Sequence, residues 1–127
     1  MIKLSKSCIG DIEKQAVMKV LDNEYLGMGL NTKRFESALS DFFGRPAICV
    51  SSGTAALHLA LQAIDVGYGD EVLVQSMTYV ASFQAVSATG AVPIPCDIDS
   101  KTLCINLQDA EQRLTKKTKA IMPVHYS

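Results

Sequence analysis

The residues best suited to chemistry are Ser51, Ser52, Gly53 and Thr54, where the apolar run Ala47–Val50 gives way to the helical pattern Thr54–Ile64. A strand that turns into a helix leaves the first helical N–H groups without intrahelical acceptors and aims them along the positive end of the helix dipole. Gly53 lets the backbone approach a ligand closely, and Ser52 and Thr54 each offer a hydroxyl. The arrangement suits an anion, a phosphate above all. The alternative is that Ser52 or Thr54 only caps a core helix. The spacing is neither G-x-G-x-x-G nor G-x-x-x-x-G-K-[ST], so neither the dinucleotide nor the P-loop reading is supported.

A second candidate is the segment Gln75–Ser82. It follows a buried strand and precedes a helix, so it shares an edge with the first turn. Tyr79 offers a flat ring there, suited to stacking on a planar heteroaromatic ligand or to closing the core. Asp97 and Asp99 are two residues apart at a strand exit and share one face. Such a pair is more often a turn than an acid–base or metal site. His58 lies within an apolar helix and reads as a core or interface histidine, whereas His125 ends a strand near the same edge. Lys116, Lys117 and Lys119 form a solvated turn, and no lysine stands in a buried, site-like setting.

The elements that must position these groups follow from apolar periodicity. Asp11 to Leu21 carries Ile12, Ala16, Val17, Val20 and Leu21 on one helical face. The loop Gly27–Asn31 follows, with Asn31 or Thr32 as the cap of a helix that ends at Gly44. Beyond residue 46 the rhythm changes. Strands are expected at Ala47–Val50, Glu71–Val74, Val92–Cys96 and Lys119–Val124, alternating with helices at Thr54–Ile64, Thr78–Ala88 and Asn106–Leu114. Pro93 and Pro95 make the third strand an edge or an irregular one. Alternation with continuously apolar strands predicts an α/β fold with a mostly parallel sheet flanked by helices on both faces. The division is a helical segment over 1–45, bearing the 27–31 loop, and an α/β domain over 46–127. The chain stops just after a strand, at the rim where α/β sheets bind ligands, and so reads as a fragment.

Composition narrows the classes. The 127 residues are 48% hydrophobic but only 6% aromatic, which points to aliphatic packing. Net charge is −1 with no basic stripe, so neither nucleic acid nor an anionic membrane is an expected partner. The N-terminus lacks the apolar core of a signal peptide and no window is long enough to span a bilayer, so the expected location is cytoplasmic. Cys8, Cys49, Cys96 and Cys104 form no C-x-x-C pair and read as buried free thiols.

Taken in order, several segments resemble the DegT/DnrJ/EryC1/StrS family of sugar aminotransferases. They are Tyr25-Leu-Gly-Met-Gly with Phe35-Glu36, Val50-Ser-Ser-Gly-Thr-Ala-Ala-Leu-His-Leu-Ala-Leu, Gly69-Asp-Glu-Val, Ser76-Met-Thr-Tyr-Val-Ala, Gly90-Ala-Val-Pro, Asp97-Ile-Asp99 and Thr118-Lys-Ala-Ile-Met-Pro-Val-His125. Together they cover nearly the whole chain.

The resemblance implies pyridoxal 5'-phosphate (PLP) as cofactor and the large PLP-binding domain of the aspartate-aminotransferase fold (type I). It implies that Gly53 and Thr54, with Ser52 beside them, bind the phosphate, and that Tyr79 stacks on the pyridine ring, where Phe or Trp is also common. It further implies a homodimer, with the Gly27–Asn31 loop near the active site and the partner subunit. The implied reaction moves an amino group, usually from glutamate, to a keto sugar carried on a nucleoside diphosphate. Such amino sugars usually feed surface polysaccharides or glycosylated natural products. The family's covalent lysine and its acidic partner for the pyridine nitrogen come later than Pro-Val-His, so no catalytic residue is assigned before Ser127. A PLP-dependent sugar dehydratase relative and a non-catalytic truncated fragment remain the alternatives.

Overall fold

The computed structural model describes residues 6–125. They divide into two compact units, one running to Cys49 and the other from Val50 onward.

The first unit contains α1 (Asp11–Asp22) and α2 (Leu30–Phe43). Asp11 and Glu13 in the first turn of α1 and Lys19 in its last complement the helix dipole. The Glu13 carboxylate also accepts the Gly10 N–H at 2.7 Å, closing the helix start. Helix α2 starts with Gly29 as its cap, ahead of the expected Asn31 or Thr32, and ends at Gly44 as expected.

The strand expected at Ala47–Val50 does not form; these residues are an irregular segment. A strand exists only through a hydrogen-bonded neighbour, and among the described residues none pairs here. Two donors of the segment are taken by α2 side chains instead. Ala47 N–H donates to Ser40 Oγ at 2.9 Å, and Cys49 N–H donates to Glu36 Oε1 at 2.7 Å. Ile48 is left exposed.

The second unit holds α3 (Gly53–Ala63), β1 (Glu71–Gln75), α4 (Ala81–Ala88), β2 (Val92–Cys96), α5 (Leu107–Gln112) and β3 (Thr118–Met122). The strands form one parallel sheet in the order β2-β1-β3, as the alternation predicted. The continuously apolar β1 takes the centre, where both faces are covered. The strand with Pro93 and Pro95, two residues without N–H groups, lies at an edge. Alternate side chains of β1 serve two cores. Val72 and Val74 pack with Leu61 of α3 and Ala85 and Val86 of α4, while Leu73 packs on the other face with Cys96 and Ala110 of α5. Each fully buried valine or leucine contributes roughly 1.5–3 kcal/mol.

Helix α4 starts at Ala81, later than the expected Thr78, so residues 76–79 are loop. The cap at Asn106 is as expected: its Oδ1 accepts from Gln108 N–H at 3.0 Å and Asp109 N–H at 3.1 Å.

Helices α3 and α4 run side by side in the same direction. Each connects to the next strand at its C-terminal end, through the turns at residues 67–70 and 89–91. Those turns touch: a Cβ placed on Gly67 lies 3.9 Å from Thr89 O, and one placed on Gly90 lies 3.6 Å from Tyr68 N. The N-terminal ends of both helices therefore share the edge of the sheet where its strands exit.

Candidate functional site

That shared edge carries the residues singled out above. Ser52 is the N-cap of α3, with extended backbone (φ −161°, ψ 161°) and its Oγ accepting the Ala55 N–H at 3.1 Å. Ala56 N–H donates to Ser52 O at 3.1 Å. The N–H groups of Gly53 and Thr54 meet no acceptor among the described residues. They are the two free donors of this helix start, and the first turn has no acidic residue to neutralise them.

A Cβ placed on Gly53 meets nothing within 4 Å, so open space lies above this backbone. Gly53 adopts helical geometry that any residue tolerates, so its value lies in the room it leaves for a ligand atom. A phosphate fits this donor set: two backbone N–H groups, the Thr54 hydroxyl, and the Ser52 hydroxyl, whose proton stays free while its oxygen caps the helix. Capping and anion binding are thus compatible at Ser52.

Tyr79 ends the loop between β1 and α4 and is 78% exposed, its ring faces unstacked. The loop around it is anchored. Thr78 Oγ1 and Ser82 Oγ share a hydrogen bond of 2.9 Å, and Ser82 N–H donates to Tyr79 O at 3.1 Å. A ring held at its backbone and bare on its faces can stack on a planar heteroaromatic group.

The strand-exit carboxylates make a turn. Asp99 Oδ1 accepts from Lys101 N–H at 3.0 Å, Thr102 N–H at 2.9 Å and Thr102 Oγ1 at 3.2 Å. The Thr102 and Lys101 N–H groups hold its carboxyl below the usual carboxylate range. Asp97 accepts the N–H of Ile98 at 2.8 Å. Among the described residues no cluster of three His, Cys, Asp or Glu side chains could hold a metal ion.

His58 is half-buried on α3, and its Nε2 is enclosed without a hydrogen-bond partner among the described residues. His125 is exposed at the strand-exit edge, directly after Val124. The cysteines are all free. Only Cys96 is fully buried; Cys49 and Cys104 are half-buried, and Cys8, against expectation, is exposed. Burial, with the Asp109 charge behind it, pushes the Cys96 thiol up, which makes it inert packing.

One residue of the Gln75–Ser82 segment has a role that its position in the sequence did not assign. Gln75, the last residue of β1, is fully buried. Its Nε2 donates to Met77 O at 2.8 Å and Leu103 O at 3.0 Å, and its Oε1 accepts the Val124 N–H at 3.3 Å. The signal was present in Val72-Leu73-Val74-Gln75: an amide ending a buried apolar strand must find partners inside.

The chain matches the DegT/DnrJ/EryC1/StrS aminotransferase family over residues 7–127. It is 36% identical over 129 residues to the dTDP-4-dehydro-2,3,6-trideoxy-D-glucose 4-aminotransferase of Saccharopolyspora spinosa, covering 99% of this chain and 34% of that protein. Among solved structures, it matches a Streptococcus pneumoniae protein assigned as a sugar aminotransferase, in its PMP form, with 38% identity and a TM-score of 0.86. That match covers 96% of this chain and 31% of the other. The same protein is also solved in a PLP form. An aminotransferase from Psychrobacter cryohalolentis matches with 37% identity and a TM-score of 0.85, over 93% of this chain and 31% of the other. The chain thus spans about one third of the length of these relatives.

Proposed function

Because the chain belongs to the DegT/DnrJ/EryC1/StrS aminotransferase family, we propose that it forms the cofactor-cradling part of a PLP-dependent sugar aminotransferase. The enzyme moves an amino group from an amino acid, glutamate in the first instance, to a keto sugar carried on a nucleoside diphosphate. The observation that carries this reading is the start of α3, with the Gly53 and Thr54 N–H groups free, no acid in the first turn and open space above Gly53.

On this reading Gly53 and Thr54 bind the PLP phosphate through their N–H groups. The hydroxyls of Ser52 and Thr54 add two donors. The ring of Tyr79 stacks on the pyridine and fixes its plane. When bound, PLP supplies an electron sink beside the nitrogen being transferred. By the family resemblance, no lysine of this chain is assigned as the one that holds PLP covalently. The Gly27–Asn31 loop faces the substrate and the partner subunit of a homodimer, a role supported by the resemblance of Tyr25-Leu-Gly-Met-Gly to the family. Family resemblance likewise supports a cytoplasmic enzyme supplying amino sugars to polysaccharides or glycosylated products. Among the described residues no helix is long and apolar enough to cross a membrane.

The test is native mass spectrometry of the protein purified from its source, mixed with PLP and reduced with borohydride. A dimer of subunits well above 13.7 kDa, each with one reduced PLP, is the expected result. A 13.7 kDa species without a specific adduct would overturn the reading.

A further inference from the structure

The Gln75 side chain ties together three segments far apart in sequence. One amide reaches the loop that carries Tyr79, the turn at residues 99–104, and the exit of β3 just before His125. All three leave the same edge of the sheet as the α3 N-terminus. Both Nε2 hydrogens are used, each on a backbone carbonyl, and Oε1 meets a backbone N–H. That pattern admits one orientation of the amide, because a flipped one would set Oε1 against two carbonyls and Nε2 against an N–H group.

The turn it reaches is itself tightly built. Leu103 adopts a left-handed backbone (φ 57°), unusual for a leucine, with its N–H donated to Asp99 O at 2.8 Å. That conformation presents Leu103 O to Gln75. Beside this amide, Ser76 N–H donates to Cys96 O at 2.8 Å, so the sheet ladder meets the Tyr79 loop at its first residue.

We infer that Gln75 is a positioning residue for the cofactor: it fixes the Tyr79 loop against the β3 exit, so that the stacking ring and the segment before His125 keep one register above the strand ends. The inference rests on the PLP reading above. A side chain of the same bulk without the amide removes the partner of Met77 O, Leu103 O and the Val124 N–H, all on half-buried residues. The loops then separate while the two cores, made by other residues, persist.

The test compares the complete polypeptide with its Gln75→Leu and Gln75→Glu variants. The readouts are PLP affinity by titration, the unfolding midpoint without PLP, and amide hydrogen exchange resolved to segments. Gln75→Leu is expected to weaken PLP binding about tenfold or more, as expected for a misplaced contact. Exchange should quicken at residues 76–80 and at Val124, but not at β1 residues 72–74 or in α4. Gln75→Glu keeps the shape and the acceptor for Val124 but sets an oxygen against two carbonyls, so it should be at least as damaging. If neither variant folds, Gln75→Asn, which keeps the amide one methylene short, decides by the same readouts. Wild-type affinity in both variants, or loosening spread through the cores, would overturn the inference and leave the PLP reading standing. A wild-type protein that binds no PLP would overturn that reading and this inference with it.

Discussion

The Ser52 hydroxyl oxygen accepts the Ala55 N–H at 3.1 Å, so this side chain caps α3 while its proton remains available to a ligand. The two roles separate by substitution. Ser52→Ala removes the cap and should cost about 1 kcal/mol of stability. Ser52→Asp keeps an equally good cap but sets a negative charge beside the proposed phosphate. It should hold stability near wild type while weakening PLP binding about tenfold or more, since a like charge costs more than one lost hydrogen bond. Urea unfolding and PLP titration on the same samples check both, and unchanged PLP affinity in Ser52→Asp would remove Ser52 from the cradle.

Thr54 is half-buried on the first turn of the same helix. Thr54→Val keeps its shape and deletes the hydroxyl. Loss of one hydrogen bond to a charged acceptor should weaken PLP binding by ~1.5–3 kcal/mol. A dissociation constant equal to wild type by fluorescence titration would count against the hydroxyl as a phosphate ligand.

Tyr79 is assigned a stacking role on the strength of its exposed ring and anchored backbone. Tyr79→Phe should leave cofactor affinity nearly unchanged and Tyr79→Ala should lower it, since only the latter removes the aromatic face. Equal losses in both would shift the role to the phenol oxygen.

Asp109 makes a two-pronged contact with Arg113, Oδ2 to Nε at 2.6 Å and Oδ1 to Nη2 at 3.0 Å, and accepts the Asp97 N–H at 2.7 Å. The Arg113 guanidinium, followed by the Asp97 N–H, holds its carboxyl below the ordinary value of 3.8. A carboxyl depressed in the folded state binds its proton more readily when unfolded. Its contribution is therefore complete above that ordinary value and drains away as pH falls through the lower folded value. Asp109→Asn should lower stability at neutral pH, and the gap to wild type should narrow on acidification below about pH 4. Unfolding curves from pH 3 to 7 that stay parallel for the two proteins would rule this out.

Gly90 joins α4 to β2 with φ at 85°, where its backbone lies against Tyr68. Space is not the constraint, because an added Cβ sits at ordinary contact distance, 3.6 Å from Tyr68 N. Gly90→Ala should destabilise by about 1–2 kcal/mol through the left-handed backbone alone. Chemical denaturation showing no loss would mean that the turn relaxes to another conformation.

Much of this architecture is local and legible in the chain. The continuously apolar Val72-Leu73-Val74 announces a strand buried on both faces, and it forms the centre of the sheet. Pro93 and Pro95 announce an edge, because two residues without an N–H, spaced two apart, leave one side of the strand short of donors. Asn106 and Gly44 mark helix boundaries through side-chain and backbone chemistry that acts within a few residues. Gly53 and Thr54 are marked as an anion cradle for the same reason, since free N–H groups follow from any helix start.

What required the folded chain depends on partners distant in sequence. Ala47–Val50 has the composition of a strand, but its pairing is not encoded within it, and Glu36 and Ser40 capture its donors instead. Asp97 and Asp99 look like a chemical pair until Thr102 and Lys101 are seen to occupy Asp99. Gln75 is an ordinary strand-end residue in sequence, and only the parallel order β2-β1-β3 brings Leu103 and Val124 to its amide. Residue types and short spacings determined most of the elements and the free donors at the start of α3, because caps, turns and apolar periodicity act over one or two turns of chain. The tertiary structure decided which polar groups are satisfied, because a buried amide takes whichever partners the topology delivers.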